Sequence, residues 1–337
     1  MSFVVAAAGS GGLMFAIMLV LSSLMQEWDT VLSKGQPSTL VPLLREASGN
    51  LSTTEWYANV SSVADSALHH HLSTPYMRSL VRDPYFIAFW MMCAGTTTLI
   101  IYYLGAQYIH NEYYVKRRAD AAEWKCQPTK FLSDELALEE KLTGCWNAFV
   151  SGSAGTGLFF LHQNYPIFKF YYDVDERGWL HYLAGCFLVY LWVDFYSYWM
   201  HRLLHHKAIY KYVHKWHHRY KCPTAFGAFA IHPIEYIGFQ TAGIWCSAIF
   251  PVHVMSFLTV VMFVAYHNQI DHSGVYFEGE LPWVPTTKFH DDHHQYFHLN
   301  FGVTLVLWDW LFGTLRQSDR VYGEEVFEGE QDVKKTQ

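Results

Sequence analysis

The sequence predicts an all-α, polytopic membrane protein with about four transmembrane helices, a helical hairpin and a cytosolic helical cap rich in histidine. Three observations support this fold class. Of the 337 residues, 51% are hydrophobic, yet the mean hydropathy is only +0.04, because apolar blocks alternate with charged connectors. Histidines are concentrated in the charged segments that follow the later apolar blocks, which predicts the cap. The net charge of −7, without a basic stripe, gives no indication of a nucleic-acid partner.

Residues 1–84 are predicted to form an N-terminal transmembrane anchor and a lumenal loop. The stretch 2–25 contains no charged side chain and is long enough to cross a bilayer. The polar stretch 26–84 then carries two glycosylation sequons, at Asn50 and Asn59. Two sequons in one loop favour its placement on the lumenal side of the membrane.

Residues 85–186 are predicted to hold further transmembrane helices and a cytosolic connector. Apolar stretches indicate spans at 85–109, 144–162 and 179–200. The connector between the first two of these begins with a basic cluster, Lys116 to Arg118, which marks the cytosolic side. The return loop 163–178 is rich in aromatic residues, including Phe168 and Tyr171, and is predicted to form an interfacial aromatic belt.

Residues 236–266 are predicted to form a helical hairpin that turns at Pro251. A single straight helix of this length would reach about 46 Å, well beyond a hydrocarbon core of about 30 Å. Each half is too short to span the bilayer alone. A hairpin returns the chain to the cytosolic side, which is required if the histidines on either side of it share one site.

Three histidine motifs dominate the region 187–317. They are HxxxH at His201 and His205, HxxHH at His214, His217 and His218, and HxxHH at His290, His293 and His294. On a helix, positions i and i+4 lie on one face and i+3 lies beside them, so each motif is expected to aim its imidazoles at a single point. Eight imidazoles in three repeated patterns indicate a metal site, since histidine is a common metal ligand.

The motifs and their surroundings resemble the fatty acid hydroxylase and sterol desaturase superfamily. The flanking stretches that carry the resemblance are YWMHRLLHH, PTAFGAFAIHPIE, DHSG and WDWLFGTLR. The resemblance implies a membrane-embedded site with two Fe ions, which uses O2 and two electrons to attack a lipid C–H bond. Imidazole also binds Zn, Cu and Ni, so the ligand type alone leaves the metal open, and Zn is possible in a purified protein.

Further residues are candidates around this centre. His272 and, less directly, His267 are expected to complete the ligand set, although they are five residues apart, about 140° round a helix. Gly274 is expected to end that helix and bring His272 inward. His206 and His298 are weaker candidates. Metal-bound histidines usually donate their second N–H to a carboxylate. Residues expected to orient the ligands are Asp194, His232, Glu235, Asp271, Asp291 and Asp292.

Three functional classes are compatible with the sequence: a lipid oxygenase, a desaturase that uses the same metal site, and a non-catalytic scaffold. Retention of all eight motif histidines argues against the scaffold. The segments HPIE, DHSG and FHDDHH resemble sterol 4-methyl oxidases and sterol hydroxylases, and PTAFGAFAIHP also resembles sphingoid-base hydroxylases. The resemblance therefore predicts hydroxylation of a sterol-class lipid. Oxidation of a sphingoid base or fatty acid, or sterol desaturation, remains the alternative.

The electron source and the location are also predicted. The chain lacks a G-x-G-x-x-G fingerprint after a strand and a His-Pro-Gly-Gly haem motif. The resemblance therefore implies that a separate cytochrome b5 and an NAD(P)H-dependent reductase supply the electrons. Lysines on the cytosolic side would form the docking patch for this carrier, or they would simply reflect the positive-inside rule. The tail, 318–337, contains Lys334 and Lys335 in a dilysine pattern, which predicts the endoplasmic reticulum membrane. The candidate docking lysines are Lys207, Lys211, Lys215 and Lys221.

Overall fold

The computed structural model describes residues 79–277 and 283–331, and most of these residues are helical. The predicted span at 2–25 and the sequons at Asn50 and Asn59 lie outside the described residues. The same holds for the proposed retrieval signal at Lys334 and Lys335.

Helices α1 (Pro84–Ile109) and α3 (Asp134–Asn164) form a closely packed pair. Asp83 begins α1 by accepting hydrogen bonds from the backbone N–H groups of Tyr85 (2.8 Å) and Phe86 (3.0 Å), as an N-cap carboxylate does. The two helices approach so closely that a Cβ at Gly95 would collide with Ser153 of α3. Among the described residues, one helical segment, Pro84–Lys116, is long and apolar enough to cross a membrane.

The connector between α1 and α3 differs from its prediction. The first helix continues as a π-helix, His110–Lys116, followed by a 3-10 turn, Arg118–Asp120, and the short helix α2 (Ala121–Trp124). Helix α3 then begins at Asp134, ten residues before the predicted span at 144–162. The added stretch contains strong helix formers and follows a capping serine, Ser133, so it extends the helix into the connector.

The aromatic return loop packs inside the protein. Its strand β1 (Phe170–Tyr171) pairs in parallel with β2 (Val252–His253), and a 3-10 turn follows at Val174–Glu176. Phe168 and Tyr171 are buried. The prediction of an interfacial aromatic belt is therefore wrong for these two residues, because the loop packs against the tip of the helical hairpin.

The helical hairpin is confirmed. Helices α5 (Pro233–Ile249) and α6 (Val254–Asp271) are separated by a break around Pro251, where β2 lies. Both pack against α4 (Trp179–Leu204), and the three helices share a buried apolar core. Helix α6 ends at Asp271, and Gly274 follows with a φ of +68°. This left-handed conformation favours glycine, so the predicted role of Gly274 as a helix terminator is also confirmed.

The cap around the histidine motifs contains mostly short elements. They are two 3-10 segments, His214–Arg219 and Gly227–Phe229, the helices α7 (Thr287–Tyr296) and α8 (Leu307–Leu311), and an antiparallel hairpin of β3 (Arg320–Gly323) and β4 (Val326–Gln331). The fold is thus predominantly helical, as predicted. The all-α prediction misses the two short sheets, whose strands have two to six residues and give little sequence signal.

Candidate metal centre

Nine buried histidines converge in two adjoining groups. Within each group, the candidate ligand nitrogens all lie within 4.8 Å of one another. All eight motif histidines are included, and His272 is the ninth. Group one consists of His201, His205, His214, His218 and His293; group two consists of His217, His272, His290 and His294.

The groups do not correspond to the sequence motifs one by one. Each pair spaced i, i+4 stays together: His214 with His218 in group one, and His290 with His294 in group two. The histidine at i+3 in each HxxHH motif crosses to the other group, so His217 joins group two and His293 joins group one. The expectation that each motif aims at a single point is therefore wrong. The difference in angle between i+3 and i+4 lets one motif serve two centres.

The two groups are assembled from the ends of elements. His201 lies in the last turn of α4 and His205 caps that helix. The second motif lies on the 3-10 segment His214–Arg219, not on an α-helix, and the third lies on α7. His272 caps the end of α6. The nine histidines therefore come from four separate elements.

Hydrogen bonds at Nδ1 orient five of the rings. Four of them contact backbone carbonyl oxygens: His201 with Phe301 (3.0 Å), His293 with Leu299 (2.6 Å), His217 with Ala230 (3.2 Å) and His272 with Asn268 (2.8 Å). The fifth, His214, contacts Glu235 Oε1 at 2.8 Å. A carbonyl oxygen only accepts, so the first four rings carry their proton on Nδ1. Their Nε2 atoms are therefore lone-pair donors that face the interior of the groups.

These inward-facing Nε2 atoms lie unusually close together. The distances are 3.1 Å for His201 and His214, 3.2 Å for His205 and His218, 3.0 Å for His218 and His293, 3.1 Å for His217 and His272, and 3.0 Å for His272 and His290. In the His217–His272 pair both Nδ1 atoms already hold the proton, so neither Nε2 can donate to the other. Two lone pairs in contact repel each other unless a cation lies between them.

His294 gives a second indication of a missing cation. Its side chain is completely buried, and neither ring nitrogen makes a hydrogen bond within the described residues. The same is true of Nδ1 of His218. Buried polar atoms are nearly always paired, and an unsatisfied one usually marks a site for an ion or a water. A metal ion in group two would satisfy His294.

The imidazoles are held in the neutral form that a metal requires. Burial lowers the pKa of His217, His218 and His294, and the neighbouring imidazoles lower it further. For His272, burial lowers the pKa to about 4. A protonated imidazole has no free lone pair, so neutral rings are ready to bind a cation at neutral pH.

The donor set fits one metal ion in each group. Metal–imidazole bonds are about 2.0–2.1 Å long, so ligands on opposite sides of one ion lie roughly 4.2 Å apart. The candidate ligand nitrogens of each group all lie within 4.8 Å of one another, which agrees with this separation. Nitrogen donors without thiolate or carboxylate suit Fe, Zn, Cu or Ni better than Mg or Ca. The residues therefore fit a binuclear centre of transition-metal ions.

Polar residues of α1 and α3 position the loop that supports the second motif. Tyr102 donates from Oη to the carbonyl oxygen of Phe226 at 2.6 Å. Asn147 donates to the carbonyl oxygens of Phe229 (2.7 Å) and Ile231 (2.9 Å), on either side of Ala230. Because Ala230 accepts from His217, these contacts explain why the loop follows a fixed path beneath the rings.

Tyr114 joins two ligand-bearing segments. Its Oη contacts the carbonyl oxygens of Ser273 (2.8 Å) and Pro223 (3.2 Å), which follow His272 and His218 respectively. The π-helical turn places Tyr114 in this position. A Cβ at Gly274 would collide with the Tyr114 hydroxyl, so this contact also requires glycine there.

Several predicted residues lie outside the two groups. His267 is not among the converging ligands, and its Nε2 lies 3.2 Å from Oδ2 of Asp271. Because α6 remains helical up to Asp271, the five-residue spacing puts His267 on another face from His272. His232 instead caps α5, where its Nδ1 accepts from the backbone N–H of Ile234 at 3.2 Å. His206 is exposed.

Of the five predicted carboxylate partners, one contacts a motif histidine and four do not. Glu235 alone among them bonds a motif histidine, His214. Asp194 accepts from Thr304 and Trp308, so it holds the loop after α7 and not a ligand ring. Asp271 pairs with His267. Asp291 is buried and Asp292 forms ion pairs with Lys288 and Arg316, and neither contacts a ligand nitrogen.

Two contacts near the centre were not expected from the sequence. His298 lies outside both groups, but its Nδ1 is 2.9 Å from Nδ1 of His205. Glu324 forms ion pairs with Lys215 (2.6 Å) and Lys221 (3.7 Å), two of the four lysines predicted to form a docking patch. Glu324, in the turn of the β3–β4 hairpin, also contacts Nε2 of His298 through its backbone carbonyl oxygen, and no sequence motif marks this hairpin as functional.

Comparison with known proteins agrees with this geometry. Residues 186–314 match the family described as fatty acid hydroxylase. Over this region the chain is similar to the fatty acid hydroxylase and sterol desaturase superfamily. The matched region contains all nine converging histidines.

The curated relatives that the chain resembles are named for sterol chemistry. The chain is 30% identical over 162 residues to lathosterol oxidase of Mus musculus, covering 46% of this chain and 54% of the relative. It is 31% identical over 193 residues to a probable Delta(7)-sterol 5(6)-desaturase of Neurospora crassa, covering 56% and 55%. The chain thus spans about half the length of these relatives. No solved structure shows a significant match to it.

Proposed function

We propose that this chain is a membrane-bound, metal-dependent oxidoreductase that oxidises a sterol-class lipid. The observation that carries the proposal is the convergence of nine neutral imidazoles, eight of which have Nε2 atoms that face one another at 3.0–3.2 Å. The match of residues 186–314 to the fatty acid hydroxylase family supports a redox-active metal at this site. The names of the similar relatives, a lathosterol oxidase and sterol desaturases, support a sterol substrate.

Two Fe ions would occupy the two histidine groups, one in each. Bound iron would supply the redox chemistry that couples reduction of O2 to oxidation of a lipid C–H bond. Zn would fit the same nitrogen donors and is possible in a purified protein. The choice of iron rests on the superfamily, since the imidazoles themselves do not distinguish these metals.

The protein's own part in this chemistry is orientation and exclusion of water. Backbone carbonyl oxygens fix the tautomer of His201, His217, His272 and His293, so that each presents Nε2 without rearrangement. All nine ligand side chains are buried. Such a site keeps bulk water from the reacting atoms, which protects a reactive oxidising centre.

We propose that the helices α1, α3 and α4 cross the membrane and that α5 and α6 enter it as a hairpin. Large apolar side chains of α4 support this proposal, because Leu180 is 83% exposed and Leu183 and Phe187 are each 61% exposed. Water-facing helices seldom expose so many, whereas lipid-facing ones do. The histidine cap would then lie at the cytosolic face of the endoplasmic reticulum membrane.

Cytochrome b5 and an NAD(P)H-dependent reductase would supply the electrons. Of the lysines proposed for docking, Lys207 and Lys211 are exposed, and no ion pair is present at either within the described residues. Lys215 and Lys221 are already engaged by Glu324. An acidic carrier would therefore meet Lys207 and Lys211 first.

The sequence motifs favour hydroxylation as the reaction, and desaturation is the second candidate. The motif surroundings favour hydroxylation, but the relatives named as Delta(7)-sterol 5(6)-desaturases favour removal of two hydrogens. Both reactions begin with attack on a C–H bond. Which of the two follows depends on the position of the lipid over the metals.

The proposal is tested by lipid analysis of cells that lack the protein, with rescue by the wild type and by His294→Ala. A sterol that accumulates and is cleared by the wild type alone would support the proposal. The mass of the product, which gains one oxygen or loses two hydrogens, decides between hydroxylation and desaturation. Normal sterols together with missing hydroxylated sphingoid bases would contradict the sterol assignment.

A further inference from the structure

The β3–β4 hairpin contacts a metal ligand through one intervening residue. His298 is buried beneath the hairpin turn, and its Nε2 lies 2.8 Å from the backbone carbonyl oxygen of Glu324. On the other side of the ring, Nδ1 of His298 lies 2.9 Å from Nδ1 of His205. A continuous chain of polar contacts therefore runs from the hairpin backbone to a ligand of group one.

This chain of contacts determines where the protons lie. The carbonyl oxygen of Glu324 accepts only, so Nε2 of His298 carries a proton and donates it. In a neutral ring, Nδ1 of His298 then holds a lone pair and must accept. The proton between the two rings therefore belongs to Nδ1 of His205. Nε2 of His205 is left with its lone pair facing Nε2 of His218, at 3.2 Å.

Packing fixes His298 in this orientation. The ring of Phe327, on β4, stacks on it with centroids 3.8 Å apart and planes 22° apart. Tyr210 packs against another side of the ring, at 5.0 Å between centroids. With neighbours on these sides and a hydrogen-bonded atom at each nitrogen, the ring cannot flip without losing several contacts.

The hairpin is also attached to the second histidine motif. Oε1 of Glu324 lies 2.6 Å from Nζ of Lys215, which stands next to His214. Oε2 of the same carboxylate lies 3.7 Å from Nζ of Lys221. Partly exposed ion pairs contribute little to stability, roughly 0–1 kcal/mol. These ion pairs instead set the position of the hairpin turn. The carbonyl oxygen of Glu324, in this turn, accepts the hydrogen bond from Nε2 of His298.

We propose that His298 is a positioning residue that fixes the tautomer of His205, and that the β3–β4 hairpin is the backbone support through which it acts. The hairpin follows the region 186–314 that matches the family, so the inference extends the metal site beyond that region. It rests on the metal site of the proposed function. Outer partners of metal-bound histidines typically change metal affinity by about 10–100-fold.

The test compares two substitutions of His298 in the full chain. His298→Phe preserves an aromatic ring against Phe327 but removes both polar contacts. His298→Gln offers an amide, whose oxygen can accept from His205 and whose N–H can donate to Glu324. The purified proteins are titrated with Co²⁺ against a competing chelator. Affinity and the number of bound ions are read from the metal content and from the Co²⁺ absorption bands.

We expect His298→Phe to weaken binding of one of the two ions by about 10–100-fold and to change its absorption bands. His298→Gln should stay within about threefold of the wild type, since the polar contacts are restored. The matched control is His181→Phe, because His181 also contacts a backbone carbonyl oxygen, that of Pro251 at 3.2 Å, far from the two groups. It should bind Co²⁺ like the wild type.

The outcomes separate this inference from the proposed function. Unchanged Co²⁺ affinity and spectrum in His298→Phe would overturn the role of His298 while leaving the metal site intact. A loss of affinity in His298→Gln as large as in His298→Phe would also overturn it. The loss would then come from replacing the imidazole ring and not from removing its two polar contacts. Failure of the wild type to bind Co²⁺ would overturn the metal site itself.

Discussion

The Nε2 atoms of His217 and His272 lie 3.1 Å apart although the Nδ1 of each ring donates to a backbone carbonyl oxygen. Neither Nε2 has a proton to share, so the contact is repulsive in the absence of a cation. The loop at Ala230 and the end of α6 at Asn268 nevertheless hold both rings in place. This pair of residues is the clearest structural indication that the centre is built for metal.

The first prediction separates His272 from His267, both of which were candidates to complete the ligand set. His272→Ala removes a member of group two, so it should abolish binding of one metal ion. His267→Ala should leave the metal content unchanged, because His267 pairs with Asp271 outside the groups. Elemental analysis of the two purified variants provides the measurement. Equal loss of metal in both would show that His267 is a ligand after all.

The second prediction concerns Glu235, whose Oε1 lies 2.8 Å from Nδ1 of His214. Glu235→Leu removes the acceptor and keeps a similar volume, so metal affinity should fall by about 10–100-fold. Glu235→Gln keeps an oxygen that can accept, and should bind metal nearly as well as the wild type. Chelator competition measures both variants. Equal affinity of Glu235→Leu and the wild type would mean that His214 needs no orienting partner.

The third prediction uses Glu140, which lies in α3 ahead of the predicted span at 144–162. Its buried carboxyl accepts from the backbone N–H (3.0 Å) and hydroxyl (2.6 Å) of Thr224. Burial raises its pKa from 4.5 to about 8. The folded state therefore favours the protonated form, and its contribution to stability is complete below the unfolded pKa and is lost as the pH rises through about 8.

Thermal unfolding in detergent between about pH 5 and pH 9 measures this dependence. In Glu140→Gln the fall in stability with pH should be smaller than in the wild type, since the amide does not titrate. Glu139→Gln is the matched control, because Glu139 is partly exposed and pairs with Arg219. The same pH dependence in the wild type and in Glu140→Gln would rule out Glu140 as its source.

The fourth prediction concerns orientation in the membrane. An epitope inserted at Asp120, in the connector between α1 and α3, should be accessible from the cytosol. If Asn50 or Asn59 is glycosylated, glycosidase should shift the mobility of the wild type but not of the double Gln variant. Replacing Lys334 and Lys335 with Ser should let some protein leave the endoplasmic reticulum. A lumenal epitope at position 120 would refute the proposed topology.

The sequence predicted which motif histidines would converge, because their spacing is a local property. Pairs such as His214 and His218, four residues apart, share a group whether the segment is an α-helix or a 3-10 segment. The break at Pro251 was also predictable, since the length of the apolar stretch excluded one straight span. The spacing of the histidines and the length of the apolar stretch were therefore enough to predict the histidine pairs and the break at Pro251.

The remaining features depend on contacts between distant segments. The assignment of His217 and His293 to opposite groups follows from how α7 packs against the second motif, which no spacing encodes. Most orienting partners proved to be backbone carbonyl oxygens, such as that of Ala230, and not the carboxylates that side-chain chemistry suggested. A carbonyl oxygen has no sequence signature, because every residue carries one.

We infer that the two histidine groups each bind one redox-active metal ion. The most direct measurement is elemental analysis of the purified, folded wild type after anaerobic loading with ferrous iron, with His217→Ala as the comparison. We expect about two iron ions per chain in the wild type, one for each group, and fewer in His217→Ala. A folded wild type that binds no iron, or a His217→Ala protein that binds as much iron as the wild type, would contradict it.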